Sequence, residues 1–187
     1  MASWIVIEGD NGTGKDTLAE QIMKLGYDIV SYTTEARNAE RAARTLYGED
    51  RVLSFLEYNL ICGSFASSSS NLSLLIRYWM STMAAAYADQ IWTWKKVNEQ
   101  VIRCVAQFPV PDLIILMECE LTPRTNRIIM RGESSGDNMC VERDKNYRWA
   151  LDEMSKRFPS VEKVDTTLLS PLEVFLAVEG ILKRRGL

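Results

Sequence analysis

The sequence predicts a three-layer α/β fold, in which a parallel sheet is covered by helices on both faces. Two observations indicate this architecture: short apolar runs typical of buried strands recur along the chain, and segments with apolar residues at helical spacing separate them. Strands that alternate with helices in this way form parallel β-α-β units. The 187 residues contain no internal repeat and no long linker, so we expect a single domain over residues 1–187.

The first half of the chain begins with the strand that is easiest to predict. Residues 3–8 are apolar and β-branched, and Gly9 ends the run. Leu18, Ile22 and Leu25 then recur at helical spacing, which predicts a helix from residue 15 to residue 25. The same patterns predict strands over residues 27–33 and 72–76, helices over 35–44 and 51–65, and a turn at the serine run 67–70.

The second half contains the clearest buried strand after the first, at residues 113–117. A mostly helical stretch over residues 80–106 precedes it, and Pro109 and Pro111 end that stretch. The remaining predicted elements are helices over residues 122–131, 142–158 and 171–185, a loop over 132–138 and a strand over 161–165.

The composition excludes several classes of function. A net charge of -3 and a pI near 5.2 leave no basic face of the kind that nucleic-acid binding needs. No apolar run approaches the roughly 20 residues of a membrane span, and the N-terminus lacks a basic-then-apolar leader pattern. The four cysteines form no C-x-x-C pair, which is typical of reduced thiols and predicts a cytoplasmic protein. Because histidine is absent, histidine general bases and metal ligands are excluded.

A phosphate-binding motif follows the first strand directly and precedes the first helix directly. It has the spacing G-x-x-x-x-G-K, and this strand-to-helix context is what the motif requires. Its glycines let successive backbone N–H groups turn inward toward phosphate oxygens, while the lysine reaches the β- and γ-phosphates. We therefore expect ATP with Mg²⁺ on a loop, called the P-loop below, formed by Gly9, Asp10, Asn11, Gly12, Thr13, Gly14, Lys15, Asp16 and Thr17.

The residue after the motif lysine departs from the common pattern. Asp16 stands where Ser or Thr usually holds magnesium, and Thr17 follows it. Asp16 either approaches the metal or stabilises the helix N-terminus, where acidic residues are favoured. Thr17 offers a hydroxyl to phosphate or metal.

The P-loop is one of several segments that resemble the thymidylate kinase family. Residues 5–17 are similar to the family's opening, I-E-G-x-D-G-x-G-K-S-T, and residues 77–82 are similar to its D-R-Y-x-x-S signature. Residues 111–118 resemble the strand P-D-L-x-x-x-L-D, residues 127–132 resemble R-I-x-x-R-G, and residues 164–166 match a recurrent V-D-T turn. These segments follow the family's order over nearly the whole chain, so the resemblance predicts the P-loop kinase fold with a small lid.

The resemblance implies transfer of the ATP γ-phosphoryl group to thymidine monophosphate. It places Lys15 on the donor side and Arg77 between the donor and acceptor phosphates. Arg127 and Arg131 adjoin the lid, at about residues 132–142, where one contacts phosphate and the other stacks on adenine. Phosphoryl transfer requires positioned positive charge more than a strong base, since the acceptor phosphate is already ionised. Lys15, Arg77 and Arg131 are the predicted catalytic residues, and a homodimer packed through helices of the middle region is also implied.

The acceptor side departs from the family pattern. Where the family carries R-E-P after the second strand, this chain has Thr-Glu-Ala-Arg at residues 34–37. Glu35 keeps its place near the sugar, and Arg37, Arg41 and Arg44 are all available for the acceptor phosphate. The sequence favours none of the three. The predicted acceptor-binding residues are Glu35, Arg37, Phe55, Tyr58, Arg77, Ser81 and Tyr87.

Three of these acceptor residues have alternative roles. Phe55 and Tyr58 either stack on the acceptor base or pack in the core, and Tyr87 either excludes a 2′-hydroxyl or is a buried helix tyrosine. Ser81 belongs to the same signature as Arg77.

The largest departure is Ile76, which replaces the aspartate that helps to organise magnesium in the family. Predicted substitutes as metal ligands are Asp16, Thr17 and Glu118, with Glu8 as a further acid near the phosphates. Three functions therefore stay open. The chain is a thymidylate kinase, a kinase of another pyrimidine nucleotide or nucleoside, or a P-loop protein that binds nucleotide without catalysis.

Overall fold

The computed structural model describes residues 3–30, 33–130, 132 and 141–187. Within these residues the strands are β1 (Trp4–Gly9), β2 (Asp28–Ile29), β3 (Ser73–Ile76), β4 (Leu113–Glu118) and β5 (Val161–Asp165). The helices are α1 (Lys15–Met23), α2 (Thr34–Arg44), α3 (Gly48–Ser68), α4 (Trp79–Ala88), α5 (Trp94–Gln107), α6 (Leu121–Met130), α7 (Val141–Ser155) and α8 (Pro171–Arg185). All strand pairs are parallel, in the order β2-β3-β1-β4-β5. The predicted α/β fold is confirmed.

Each face of the sheet has its own hydrophobic core, because side chains alternate between the faces along a strand. Ile5 and Ile7 of β1 pack on the side of α1 and α8, with Leu18 and Val178. The neighbouring Val6 packs on the other side, where α3, α4, α5 and α7 supply the partners. Since β1 is buried along its whole length, the loop that follows it starts from a fixed point in the middle of the molecule.

The structure corrects two predicted elements. The stretch predicted as mostly helical over residues 80–106 is divided into α4 and α5, because Gln90 adopts a left-handed conformation (φ 57°) and Thr93 caps α5 by accepting from the Lys96 N–H. The strand predicted over residues 27–33 is only Asp28–Ile29 within the described residues, at the edge of the sheet. In addition, α3 continues to Ser68, so the serine run begins inside a helix.

The carboxyl ends of the parallel strands meet at one edge of the sheet, where ligands of open α/β sheets bind. The backbone N–H of Arg77, just after β3, donates to Ile7 O of β1 (2.9 Å). The N–H of Thr166, just after β5, donates to Glu118 O of β4 (2.8 Å). This edge therefore gathers the P-loop, Arg77 and the turn at Thr166.

Two further sequence predictions concern the lid and membrane spans. The small lid, at about residues 132–142, lies mostly outside the described residues. No helix in the described ranges is long and apolar enough to cross a membrane.

Candidate nucleotide-binding site

The P-loop takes the shape that its glycines permit. Gly9, Gly12 and Gly14 all have positive φ angles, of 139°, 79° and 92°. A Cβ on Gly9 would lie 2.5 Å from Met117 O, and a Cβ on Gly12 would lie 2.8 Å from Arg124 O. The loop thus requires glycine for its backbone angles and also for the close approach of β4 and α6.

Lys15 turns its ammonium group back into the P-loop. The side chain is buried, and Nζ donates to Asp10 O at 2.5 Å and lies 3.4 Å from Thr13 Oγ1. Burial, with the nearby positive charge of Arg77, lowers the pKa of Lys15 well below its usual value. A buried ammonium with so few acceptors is suited to an anionic ligand at the same place.

Arg77 reaches the P-loop from the end of β3. Its guanidinium donates through Nη2 to Asn11 Oδ1 (2.5 Å) and through Nη1 to the Tyr147 hydroxyl (3.0 Å). The backbone of Arg77 is left-handed, with φ 68°, which is uncommon for a residue with a side chain. The structure therefore brings together the two predicted catalytic cations that it describes, Lys15 and Arg77.

Glu8 lies beneath this site and is fully buried. Its carboxylate accepts from the backbone N–H groups of Tyr78 (2.9 Å) and Ser81 (3.4 Å), and from the Ser81 hydroxyl. Burial raises the pKa of Glu8 to about 7, although these hydrogen bonds oppose the shift. Glu8 thus caps the start of α4 and fixes the turn that contains Arg77, and Ser81 is engaged by Glu8.

Arg124 is a residue of the site that the sequence analysis missed. It is 2% exposed, and its Nη1 donates to Asp10 Oδ2 at 2.6 Å. Its Nη2 donates to Asp144 Oδ1 of α7, so one guanidinium joins the P-loop, α6 and α7. The available signal was its position: Arg124 and Ile128 are the buried residues of α6, four positions apart, so an arginine occupies the inward stripe of an amphipathic helix.

Arg127 ties the turn after β5 to the P-loop. Its Nη2 donates to Thr166 O (2.6 Å), and its Nη1 lies 3.2 Å from Thr166 Oγ1 and 3.4 Å from Gly12 O. Arg127 also lines a cavity of about 400 Å³ beside the loop, together with Gly14, Thr17, Met117 and Leu169. The lining of the cavity thus combines P-loop backbone, the Arg127 side chain and the apolar side chains of Met117 and Leu169.

The predicted metal ligands do not converge in one cluster. Asp16 and Thr17 are exposed in the first turn of α1. Glu118 instead forms an ion pair with Lys163 (3.1 Å). Among the described residues, no three His, Cys, Asp or Glu side chains are arranged to hold a metal ion. Asp16 and Thr17 still fit Mg²⁺ bound to a nucleotide, because Mg²⁺ usually takes only one or two protein ligands beside phosphates and water.

The predicted acceptor residues fall into separate groups. Phe55 is half-buried and packs edge-to-face on the buried Tyr58, with ring centroids 6.2 Å apart. Tyr87 packs against Trp94 and Trp149, each at 5.4 Å, so it belongs to an aromatic cluster between α4, α5 and α7.

The remaining predicted site residues are Glu35, Arg37 and Arg131. Glu35 and Arg37 lie on the exposed side of α2. Arg131 lies outside the described residues.

Comparison with known proteins identifies relatives only through structure. No protein-family model matches the chain, and no curated protein matches it by sequence. The fold is similar to thymidylate kinase from Candida albicans, with a TM-score of 0.77 and 17% identity over 99% of this chain and 92% of that chain.

Two structures of deoxyadenosine kinase from M. mycoides are also similar. The structure with bound dATP has a TM-score of 0.69 and 18% identity, over 96% of this chain and 99% of that chain. The structure with the products dCMP and dCDP has the same TM-score and identity, over 97% of this chain and 99% of that chain. The chain therefore has the P-loop kinase fold, as the sequence resemblance predicts.

Proposed function

We propose that this protein is a nucleoside monophosphate kinase that transfers the γ-phosphoryl group of ATP, with dTMP as the first candidate acceptor. One observation carries the proposal: two cations from different elements, Lys15 and Arg77, meet at adjoining residues of a glycine-shaped phosphate loop. The fold similarity to thymidylate kinase supports it. A cytoplasmic location, small-molecule nucleotide partners and a homodimer are part of the same proposal.

On the donor side, the P-loop holds the phosphates of ATP and the adjoining cavity holds its base. The apolar wall of the cavity, with Met117 and Leu169, suits an aromatic ring, and Arg127 lies at its margin. The Lys15 ammonium keeps its bond to the Asp10 carbonyl, donates its other protons to phosphate oxygens and returns toward full protonation beside that charge. Thr17 and Asp16 are the residues that would hold Mg²⁺, which would neutralise phosphate charge when bound with ATP.

Transfer then depends on placement and positive charge. Arg77 lies at the end of β3, where its guanidinium can bridge the moving phosphoryl group and an acceptor phosphate. No general base is required for a phosphate acceptor, because it is already ionised at neutral pH. This agrees with a chain that has no histidine. Arg131 completes the proposed set of catalytic cations.

On the acceptor side, we assign Phe55 and Tyr58 to the base, Glu35 and Arg37 to the sugar and phosphate, and Tyr87 and Ser81 to shaping the pocket. The contacts that support the first assignment are the edge-to-face packing of Phe55 on Tyr58 and the position of Arg51 over the Phe55 ring (5.8 Å). Phe55, half-buried and packed on the buried Tyr58, thus presents an aromatic face with positive charge beside it.

A deoxynucleoside is the second candidate acceptor. It is favoured by the fold similarity to deoxyadenosine kinase, which covers 99% of that chain. A third reading, nucleotide binding without transfer, rests on Ile76, whose side chain cannot serve a metal ion. The three readings differ in which acceptor, if any, makes the protein release ADP from ATP, so one assay separates them.

The decisive assay measures ADP release from Mg²⁺-ATP with dTMP, dUMP, UMP, CMP, AMP, thymidine and deoxyadenosine. We expect turnover that depends on dTMP or another monophosphate. Turnover with a nucleoside alone would support the second candidate, and ATP binding without turnover on any acceptor would overturn the kinase proposal.

The matched variant for this assay is Lys15→Ala. We expect it to abolish transfer without unfolding the protein, since the lysine charge acts on phosphate. Circular dichroism provides the folding control. Full activity in a folded Lys15→Ala protein would exclude the P-loop as the site of reaction.

A further inference from the structure

We propose that Arg124 is a positioning residue for the phosphoryl transfer, acting through Asp10 on both Lys15 and Arg77. The inference rests on the proposed function. Arg124 is 2% exposed, and its two carboxylate partners, Asp10 and Asp144, are 8% and 4% exposed. Burying three charges is costly, and a well-packed apolar cluster at the same place would often be as stable. We therefore infer that the buried ionic cluster next to the P-loop fixes the conformation of the loop.

The carboxylate of Asp10 is fixed from two sides. Arg124 Nη1 donates to Oδ2 at 2.6 Å, and the Asn11 N–H donates to Oδ1 at 2.7 Å. The backbone carbonyl of the same Asp10 accepts from Lys15 Nζ, and the side-chain oxygen of Asn11 accepts from Arg77 Nη2. One guanidinium therefore orients the dipeptide that holds both reactive cations.

These contacts close into a ring through α7. Arg77 donates to the Tyr147 hydroxyl, and Tyr147 lies one helical turn after Asp144, which accepts from Arg124. Because each member is held by its neighbours, a change at Arg124 is transmitted to Arg77 through the P-loop and also through α7. The two helices in the ring, α6 and α7, flank residues 131–140 of the chain.

The Arg124 guanidinium is engaged by acidic side chains. Both Nη groups are engaged by carboxylates, and the guanidinium is buried beneath the loop. The backbone of Arg124 also packs against the P-loop, since a Cβ on Gly12 would lie 2.8 Å from Arg124 O. Arg124 is thus placed to set the shape of the loop, with Lys15 and Arg77 acting on the substrates.

The test uses Arg124→Met combined with Asp144→Asn, so that one carboxylate is removed together with the arginine and the protein keeps its fold. We expect kcat to fall by about 10²-fold and the Kd for Mg²⁺-ATP to rise by about tenfold. The conservative variant Arg124→Lys, which keeps the charge but loses the forked geometry, should retain more turnover than the double variant. Arg185→Met is the matched control, because Arg185 forms an exposed ion pair with Glu162 away from the P-loop.

A mutant cycle separates positioning from a merely structural role. In a Lys15→Ala background, the Arg124 and Asp144 substitutions should weaken ATP binding by less than they do in the wild type, because one of the two residues through which they act is gone. Calorimetric titration with ATP gives the four constants. An unchanged kcat and Kd in a folded double variant, or full additivity with Lys15→Ala, would overturn the inference.

The same titration distinguishes this inference from the proposed function. If the wild-type protein turns over no acceptor, the kinase proposal fails. The ATP affinities still decide the role of Arg124, and an unchanged Kd counts against it.

Discussion

At the scale of single residues, Arg77 combines an unfavourable backbone with a side chain that the site uses. Left-handed angles cost a residue with a Cβ about 1–2 kcal/mol, and such strain is concentrated at functional positions. Here the φ of 68° directs the guanidinium to Asn11 and Tyr147, while the backbone N–H stays paired with Ile7 O. The strained backbone of Arg77 is therefore explained by the position that it gives the guanidinium at the P-loop.

This predicts different consequences for two substitutions of Arg77. Arg77→Ala and Arg77→Gly should both lower kcat by roughly 10²-fold or more, because both remove the charge. Arg77→Gly should nevertheless be more stable than Arg77→Ala by about 1 kcal/mol, since only glycine adopts this φ without strain. Urea denaturation and steady-state kinetics on the same proteins measure both effects. A more stable alanine variant would contradict the assigned strain, and a change confined to ATP affinity would contradict the role in transfer.

Glu8 predicts a pH dependence of stability. Burial raises its pKa to about 7, whereas an unfolded chain releases the proton near 4.5. Between these values the folded state holds more protons than the unfolded state, so the free energy of unfolding falls as pH rises through this window and Glu8 adds no further change above it. The contribution is on the order of 3 kcal/mol.

The Glu8→Gln variant keeps the shape of the side chain and removes this titration. Its free energy of unfolding, measured at pH 5 and at pH 7, should decline less between the two than that of the wild type. Other acids contribute equally to both proteins, so their effect cancels. Equal pH dependence in the two proteins would show that Glu8 is ionised throughout the window.

At the scale of elements, α8 begins with a complete capping box. The Ser170 hydroxyl accepts from the Glu173 N–H, the Glu173 carboxylate accepts from the Ser170 N–H, and Pro171 occupies the first turn. Ser170→Ala should therefore cost about 1 kcal/mol of stability in chemical denaturation. Ser67→Ala is the matched control, because the Ser67 hydroxyl donates to Ser64 O within α3, and it should change stability by less than about 0.5 kcal/mol. Equal losses in the two variants would exclude the cap as the cause.

Local elements were predictable from the sequence, and elements shaped by distant contacts were not. The order β1, P-loop and α1 follows from an apolar run, glycines and helical spacing within the same segment. The division between α4 and α5 depends on a left-handed Gln90, which no local pattern requires. The role of Arg124 depends on Asp10, 114 positions away, so the sequence analysis assigned Arg124 no role. The ion pair of Glu118 with Lys163 was not predicted either, because the two residues are 45 positions apart in the sequence.

At the scale of the whole molecule, folding buries the described thiols, two of which, Cys62 and Cys104, lie in the hydrophobic core. Cys62, Cys104 and Cys119 are free and buried. Burial raises the pKa of Cys62 to about 11 and that of Cys104 to about 12, so little reactive thiolate exists at neutral pH. These thiols should report on opening of the fold.

We expect a Cys140→Ser variant in native buffer to react with a disulfide reagent only at the rate at which the protein opens. Saturating Mg²⁺-ATP should slow the reaction further, by the factor with which binding stabilises the folded state. The measurement is the absorbance of released thiolate over time, compared with a denatured sample. Fast labelling of the native variant would contradict the buried placement of these three cysteines.

The contacts that hold the P-loop come from progressively later parts of the chain. Asn11 is held from 66 positions away, Asp10 from 114 and the Thr13 carbonyl from 153, by Arg77, Arg124 and Thr166. Chains emerge from the ribosome N-terminus first, so the whole phosphate motif is exposed long before its supports exist. A nascent chain that ends before β5 therefore carries the motif without Thr166, the last of these three supports. Completion of translation, more than synthesis of the motif, creates a loop able to bind nucleotide.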